Sequence, residues 1–229
     1  MTGEQIKDNL NVVRDKIKKA CDKASRPYED VTLLAVSKTK PIEYIKSAVM
    51  CEQYSYGENK VQEIIDKYES MPELDWHMIG HLQTNKVKYI VDKVSLIHSV
   101  ESVKLANTIN KEAIKKDVVV DVLVEVNVAK EDSKFGIDIE QCEDFIREIS
   151  QFSNIRVKGL MTIAPFVQDP EENRVHFRKL KEVFVDINNK KIDNVNMDVL
   201  SMGMTNDYEV AIEEGSTLVR VGTGIFGLR

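Results

Sequence analysis

The order of elements is the feature that most constrains this sequence, because short apolar segments alternate with helical ones along nearly the whole chain. Between the apolar segments lie stretches such as "PIEYIKSAVMCEQ" and "IEQCEDFIREISQ", which have the character of amphipathic helices. The eight predicted strands span residues 31–37, 54–58, 76–80, 96–100, 118–127, 157–163, 197–203 and 217–222. Strands that alternate with helices in this way are expected to pair in parallel through helical crossovers.

Eight such units suffice to close a barrel, and we predict an α/β fold of the (β/α)8 TIM-barrel type. An open doubly wound sheet would be favoured by a G-x-G-x-x-G motif after the first strand, but neither this motif nor the Walker pattern is present. A TIM barrel typically takes about 250 residues, so a chain of 229 predicts a compact one. An additional N-terminal helix is predicted over residues 4–24, where Ile6, Leu10, Val13 and Ile17 form one apolar stripe.

Composition limits the number of domains and the kinds of partner. No Pro/Gly/Ser-rich linker divides the chain, so residues 1–229 are predicted to form a single domain. The net charge of −6 and the lack of a basic arm argue against a nucleic-acid partner. No apolar run approaches the roughly 20 residues of a membrane span, and the N-terminus has no signal-peptide core. Three widely spaced cysteines predict reduced thiols in a cytoplasmic protein.

A lysine stands where the first predicted strand gives way to a helix. In "LLAVSKTKP" the apolar strand passes through Ser37 to Lys38 and Lys40, and Pro41 suits the first turn of a helix because it has no N–H to lose. The carboxyl ends of barrel strands are where active sites are built. Position alone leaves two interpretations open, namely a solvated lysine at a strand end or an amine held in a pocket for a carbonyl group.

The last two predicted strands lead into small and hydroxyl-bearing residues, where TIM barrels often bind phosphate. Glycines let backbone N–H groups approach an anion closely, and hydroxyls add further donors. Strand one, which ends at Lys38, is adjacent to strand eight in a closed barrel. An amine beside a phosphate cradle suggests pyridoxal 5'-phosphate (PLP), whose aldehyde condenses with lysine. The small residues in question are Ser201, Gly203, Thr205, Gly222, Thr223 and Gly224.

Short motifs from about residue 31 to the end of the chain resemble those of a known family. They are "LLAVSKTKP", "YGENKVQE", "WHMIGHLQTNK", "HSVES", "VNVAKEDSKFG", "GLMTIAP" and "LSMGMTNDYEVAIEEGSTLVRVGTGIFG". Together they are similar to the pyridoxal phosphate homeostasis proteins, the single-domain relatives of the alanine racemase N-terminal barrel. Each motif is short, but the set is highly specific. The resemblance implies a TIM barrel that binds PLP.

By position, the resemblance also implies how the cofactor is held. Lys38 of "AVSKTKP" matches the lysine that forms the internal aldimine, a Schiff base with PLP. Ser201 of "LSMGM", together with Gly222 and Thr223 of "RVGTG", matches the phosphate-binding groups. Only the register of the motif selects Lys38 over Lys40. For Ser201 a second interpretation stays open, in which its hydroxyl simply satisfies backbone groups.

Two further residues complete the implied cofactor site. Arg220 of "TLVRVG" matches the arginine that faces the pyridine nitrogen, and Asn59 of "GEN" matches a polar residue at the edge of the cofactor. Arg220 is alternatively a barrel-core arginine paired with a carboxylate, and Asn59 is alternatively a helix N-cap. His81 in "IGHLQ" is placed to alter what reaches the open face. The spacing of His77 and His81 does not predict a metal site, because it falls where a strand turns into a loop.

The resemblance implies a PLP-binding protein of intracellular vitamin B6 homeostasis that holds its cofactor without an assigned catalytic reaction. Related alanine racemases carry a second, β-rich domain that supplies a tyrosine across a dimer interface, whereas this sequence ends at Arg229, just after strand eight. We therefore expect no enzyme activity, a monomer, and PLP-dependent client enzymes as partners. The alternative is a low-efficiency amino-acid racemase or another small PLP enzyme. A pure protein-interaction module would explain neither the lysine nor the cradle.

Overall fold

Parallel pairing between consecutive strands, and between the first strand and the last, closes a barrel of eight strands in sequence order. The structure is a computed structural model that describes residues 1–131 and 135–228. The strands are β1 Thr32–Val36, β2 Ser55–Glu58, β3 Asp75–Met78, β4 Leu96–Val100, β5 Val120–Glu125, β6 Ile155–Met161, β7 Val195–Met204 and β8 Leu218–Val221. Every predicted strand overlaps an observed one, and the predicted (β/α)8 barrel is confirmed.

Helices surround the barrel on its outer side. They are α1 Gly3–Lys23, α2 Ile42–Val49, α3 Val61–Ser70, α4 Val103–Lys116, α5 Cys142–Ile149, α6 Arg174–Asn189, α7 Tyr208–Glu213 and α8 Thr223–Phe226. Between β3 and β4 the connection contains a 3₁₀ helix, Thr84–Tyr89, in place of an α-helix. Pro41 was predicted inside the first turn of α2 but is its N-cap, with extended backbone, so the helix begins one residue later.

The predicted N-terminal helix is confirmed as α1, which starts with a capping box between Thr2 and Gln5. Its buried stripe packs with side chains of α7 and α8, among them Ile212 and Phe226. The Asn9 side-chain amide also donates to the carbonyl of Ile225 at 2.9 Å. The additional helix therefore lies across the side of the barrel where β8 meets β1.

The side chains that point into the barrel form an apolar packing with polar residues set among them. Successive side chains of a strand alternate between the two faces, so His77 points inward while its buried neighbours Trp76 and Met78 pack toward the helices. The apolar filling is Leu34, Val36, Ile79, Leu218, Leu96, Leu123 and Met161, joined through Val199. The buried polar residues that share the inward alternation are His77, His98, Glu125, Ser201 and Arg220. TIM-barrel interiors are usually filled by branched apolar residues, so this polar set is distinctive.

Gly159 fixes the alignment of β6 with β7, on which the position of Ser201 depends. Its φ of +149° and its close approach to the carbonyl oxygen of Val199 leave no room for a Cβ atom. The strand pairing shifts register beside it, and beyond the shift Met161 lies opposite Ser201. This glycine therefore sets which residues of β7 face the barrel interior near the site.

None of the described helices is long and apolar enough to cross a membrane. Within residues 1–131 and 135–228, no three His, Cys, Asp or Glu side chains are grouped closely enough to hold a metal ion.

The buried carboxyl group of Glu125 makes the free energy of unfolding depend on pH. Burial raises its pKa from 4.5 to about 7, with a further contribution from Glu101 and an opposing one from Arg220. Between these two pH values the folded state binds more protons than the unfolded state, so stability falls as the pH rises. Glutamine cannot ionise, so Glu125→Gln avoids this loss of stability. The gain in the free energy of unfolding is at most roughly 3 kcal/mol. We expect the variant to raise Tm more at pH 8 than at pH 5 in thermal denaturation.

Glu69→Gln serves as the matched control, because Glu69 is exposed on α3. Its Tm should follow that of the unsubstituted protein at both pH values. Equal changes in the Tm of Glu125→Gln at pH 5 and pH 8 would contradict the assignment of the pH dependence to this carboxyl group.

Candidate functional site

Lys38 lies half-buried in the turn between β1 and α2, and both of its neighbours are held in place. Ser37 is fully buried, and its hydroxyl donates to Glu58 Oε1 at 2.6 Å. Thr39 adopts a φ of +62° and donates its backbone N–H to Glu63 Oε2 at 2.6 Å. A non-glycine residue in this left-handed region requires support from its surroundings. The turn therefore gives Lys38 a defined backbone position at the carboxyl end of β1.

Lys67 of α3 braces this turn from the helix layer. Its Nζ donates to Glu58 Oε1 at 2.7 Å, to the Ser37 carbonyl at 2.9 Å and to Glu63 Oε2 at 3.2 Å. Burial raises the pKa of Glu58 to about 7 against the opposing effect of Lys67. Burial also acts on Glu63, but the Thr39 N–H and Lys67 together lower its pKa. A buried ammonium with three acceptors is fully satisfied, so Lys67 fixes the turn rigidly.

Lys40, the other lysine of the motif, is engaged elsewhere. Its Nζ donates to the backbone carbonyls of Gly227 and Leu228, at 3.0 Å in each case. These contacts turn its ammonium group toward the C-terminal segment. The sequence separated Lys38 from Lys40 only by the register of the motif. The structure shows in addition that Lys40 contacts the C-terminal segment.

Backbone donors from the end of β8 converge on a hydroxyl that follows β7. Thr205 Oγ1 accepts the N–H of Gly222 at 3.3 Å and the N–H of Gly224 at 3.4 Å. A Cβ atom on Gly224 would lie 3.0 Å from Val221 Cγ1 and 3.2 Å from Thr205 Cγ2, so a side chain there would push against both neighbours. We call the Thr205 hydroxyl and these two N–H groups the anion cradle. Hydroxyl and N–H donors without a carboxylate among them fit a phosphate group.

Thr223 lies between the two glycines of the cradle and is exposed, at the start of α8. Gly222 and Thr223 thus lie beside one another at the end of β8, and their role as phosphate-binding groups stays a prediction. Thr205, which the sequence also offered as a hydroxyl near the strand ends, contacts the backbone N–H groups of Gly222 and Gly224.

Ser201 does not lie in the anion cradle. It is fully buried inside the barrel, where its hydroxyl accepts from Arg220 Nη1 at 2.6 Å and lies 3.0 Å from His98 Nδ1. Leu200 and Met202 pack outward, so the alternation of β7 sends Ser201 inward, below the strand end. This placement does not support the prediction that Ser201 binds phosphate. The alternative, in which the Ser201 hydroxyl satisfies backbone groups, is not supported either, because the partners of this hydroxyl are the side chains of Arg220 and His98.

Arg220 lies on the inner face of β8 and is only 4% exposed. Besides its bond to Ser201, its Nη2 donates to the Thr162 carbonyl at 2.8 Å. Burial lowers its pKa to about 10, against the opposing charges of Glu125 and Asp207, so it stays cationic at neutral pH. Among the described residues no carboxylate oxygen lies within ion-pair distance of its guanidinium. The alternative of a carboxylate-paired core arginine is therefore wrong.

Asn59 is not the N-cap of the following helix, because α3 begins at Val61 and its N-cap is Lys60, without a side-chain cap. Asn59 is half-buried and contacts Gly80 so closely that a Cβ atom there would lie 2.7 Å from Asn59 Cα. It lines a cavity of about 530 Å³ together with Lys60 and His81. The structure therefore places Asn59 at the edge of the face where β1 and β2 end.

The two histidines of "HMIGH" point to different places. His77 faces the barrel interior, where its Nδ1 lies 2.9 Å from His98 Nε2. His81 lies in the loop after β3, with its Nδ1 3.2 Å from Glu101 Oε1 and its ring stacked on Phe135 at a centroid distance of 4.1 Å. His81 thus forms part of the rim of the open face, consistent with the position expected for it.

Comparisons with known proteins give the family. Residues 4–229 match the family described as "Alanine racemase, N-terminal domain". A pyridoxal phosphate homeostasis protein of Aquifex aeolicus is 46% identical over 224 residues, which are 97% of each chain. The one from Escherichia coli K12 is 36% identical over 230 residues, covering 98% of this chain and 97% of its own.

Among solved structures, PipY of Synechococcus elongatus with PLP bound is 31% identical, with a TM-score of 0.83, and covers 97% of this chain and 100% of its own. The similarity thus extends over the barrel, the turn that carries Lys38 and the anion cradle. The chain therefore belongs to the alanine racemase N-terminal domain family, and within it to the pyridoxal phosphate homeostasis proteins.

Proposed function

We infer that this chain, as a single domain of residues 1–229, binds PLP and serves PLP homeostasis without an assigned catalytic reaction. The observation that carries the inference is the closeness of the turn that bears Lys38 to the anion cradle. β1 and β8 pair directly, with Ala35 opposite Val221, so the amine and the cradle follow neighbouring strands. The names of relatives at 46% and 36% identity, and the PLP bound to PipY, support it.

Lys38 is the residue that we assign to covalent attachment. Its amine would hold PLP covalently, because a lysine amine can condense with the aldehyde group of the cofactor. Leu34 and Val36 face the barrel interior, and Lys38 is next in that alternating series. The fixed positions of Ser37 and Thr39 hold its backbone, whereas Lys40 is drawn to the C-terminal segment.

The anion cradle and Arg220 hold the other ends of the cofactor. Thr205, Gly222 and Thr223 would hold the phosphate, and Asn59 would contact the edge of the cofactor. Bound PLP supplies an electron sink for carbanions. Arg220 donates hydrogen bonds but accepts none, so beside the pyridine nitrogen it would favour the unprotonated form and weaken the sink. A cofactor held in this way is retained in a form of low reactivity, which suits storage and delivery.

We place this activity in the cytoplasm of the cell. The thiols of Cys21, Cys51 and Cys142 are free, as a reducing compartment requires. The protein acts as a monomer, and PLP-dependent client enzymes receive the cofactor. A low-efficiency amino-acid racemase is the alternative, and the last prediction of this subsection separates the two.

The first prediction is that Lys38, and not Lys40, carries the cofactor. After borohydride reduction of the PLP-loaded protein, peptide mass mapping should find the pyridoxyl mass on Lys38. Lys38→Ala should lose the absorbance of the covalent adduct but retain weak PLP binding through the cradle. Lys40→Ala is the matched control and should keep that absorbance. A pyridoxyl mass on Lys40, or on no lysine, would sink the assignment.

The second prediction is that the Thr205 hydroxyl recognises the phosphate group. Thr205→Val should weaken PLP binding by about tenfold, since one hydrogen bond to a charged group is lost. Binding of pyridoxal, which has no phosphate, should not change. Thr108→Val is the control, because Thr108 is a hydroxyl residue whose bond is to a backbone carbonyl within α4. An equal loss of affinity for PLP and pyridoxal argues against the cradle.

The third prediction is that the PLP-loaded protein racemises alanine only negligibly. Inversion needs a positioned acid or base on each face of the reacting carbon, and Lys38 serves one face. A chiral assay at stoichiometric cofactor measures this directly. Rapid interconversion of L- and D-alanine would contradict the homeostasis role and favour the racemase.

A further inference from the structure

A chain of hydrogen bonds crosses the barrel interior beneath the proposed cofactor site. From β8 it runs from Arg220 Nη1 to Ser201 Oγ at 2.6 Å, and on to His98 Nδ1 at 3.0 Å. It continues from His98 Nε2 to His77 Nδ1 at 2.9 Å, and from His77 Nε2 to Asp75 Oδ2 at 3.0 Å. We call these five residues the interior relay. They link β7 and β8 to β3 and β4 on the opposite wall.

The interior relay is buried along most of its length. His98 and Ser201 are fully buried, and only the Asp75 end is half-exposed, beside the hydroxyl of Ser95. Polar groups in such a place destabilise the fold unless every donor and acceptor is paired. Apolar side chains would fill the same space without that requirement. A complete network in their place therefore indicates a role at the site above it.

The two ends of the interior relay are charged in opposite senses. Arg220 donates and cannot accept, so the Ser201 oxygen accepts its N–H. Burial alone would raise the pKa of Asp75, but hydrogen bonds from His77 and Ser95 lower it, so Asp75 is a carboxylate. Burial, with His77 and Arg220, lowers the pKa of His98 well below its ordinary value, so His98 is neutral.

With one proton on each histidine, every bond between these ends runs in one direction. Asp75 accepts the N–H of His77 Nε2, and Nδ1 of His77 is then an acceptor. His98 then donates from Nε2 to His77, and its own Nδ1 becomes an acceptor. Ser201 is the remaining donor to that nitrogen. In this arrangement each residue from Arg220 to His77 donates one hydrogen bond in the direction of Asp75, and every ring nitrogen has a partner.

We propose that Asp75, His77 and His98 are positioning residues that fix the Ser201 hydroxyl and thereby hold Arg220 in one orientation beneath PLP. Because the Ser201 proton points to His98, its lone pairs face Arg220 and the proton is withheld from any ligand. The Arg220 N–H groups not used by Ser201 and Thr162 remain for the cofactor. This inference rests on the proposed function, since it assigns these residues to the same site.

The direction of the interior relay is measured on the cofactor-free protein. Nitrogen-15 NMR of labelled histidines distinguishes a proton on Nδ1 from a proton on Nε2. We expect His98 to be neutral, with its proton on Nε2. A His98 proton on Nδ1, or a charged His98, would overturn the proposal without any variant being made.

The link to the cofactor is tested by a pair of substitutions at His77. In His77→Leu the His98 Nε2–H loses its acceptor, so the proton should move to Nδ1 and the Ser201 proton should be released. The absorbance maximum of bound PLP should then shift, and PLP should dissociate about tenfold faster. His77→Gln should restore the absorbance maximum and the dissociation rate of PLP, because an amide can accept from His98 and donate to Asp75.

Asp198→Asn is the matched control, since Asp198 is an exposed carboxylate of β7 that pairs with Lys158 outside the interior relay. It should leave the His98 tautomer and the PLP spectrum unchanged. If His77→Leu matches the unsubstituted protein in spectrum and dissociation rate, the positioning role is overturned. If the unsubstituted protein shows the expected tautomers but binds no PLP, the proposed function fails, and the two failures are thus distinguishable.

Discussion

The pairing of β1 with β8 is the interaction on which the rest of the site depends. It closes the barrel, and it sets the turn that carries Lys38 beside the loop that contains Gly222. Neither part could recognise PLP alone, because an amine without an anion site is an ordinary surface lysine. Helix α1 lies over the same junction and adds a buried apolar stripe to it. The strand pairing that closes the barrel therefore also brings together the two parts of the proposed site.

Charge is arranged around this junction in two separate layers. Outside the strands, Lys67 sits among Glu58, Glu63 and the Ser37 carbonyl, which satisfies a buried ammonium and stiffens the turn. Inside the strands, Arg220 stays cationic because the charges of Glu125 and Asp207 oppose the effect of burial on its pKa. Its guanidinium donates to Ser201 and Thr162 and forms no direct ion pair with a carboxylate of the described residues. A directly paired carboxylate would occupy the guanidinium, whereas the interior relay leaves part of it for a ligand.

Sequence reasoning predicted the features that depend on local pattern. Apolar runs and turns located the strands, and the motif around Lys38 located the amine. The sequence could not place the Ser201 hydroxyl, since the face that a strand residue occupies depends on register. Gly159 and the register shift beside it decide that register. The Ser201 hydroxyl contacts Arg220 and His98 inside the barrel, and its assignment to the phosphate stays a prediction. The interpretation of Asn59 as a helix N-cap is wrong because α3 begins at Val61, two residues further on.

Other residues of the site were missed because only the closed barrel brings them together. Lys67 is nine residues from Glu58 in sequence, and the two side chains meet only because α3 packs beside the turn. A signal did exist for the histidines, since in "WHM" His77 lies between two apolar neighbours, and in "LIHSV" His98 follows the apolar Ile97 within a largely apolar strand. Alternation sends such a residue to the face opposite those neighbours. Two inward histidines on adjacent strands were therefore within reach of the sequence.

The closure of the barrel by its first and last strands also has a consequence in time. A chain emerging from the ribosome exposes Lys38 long before β8 exists, and the anion cradle is completed only when Gly222 and Gly224 arrive. An incomplete chain thus has the amine but no means of retaining a phosphorylated aldehyde beside it. In the proposed function, capture of the cofactor would therefore have to wait until the whole barrel has been made.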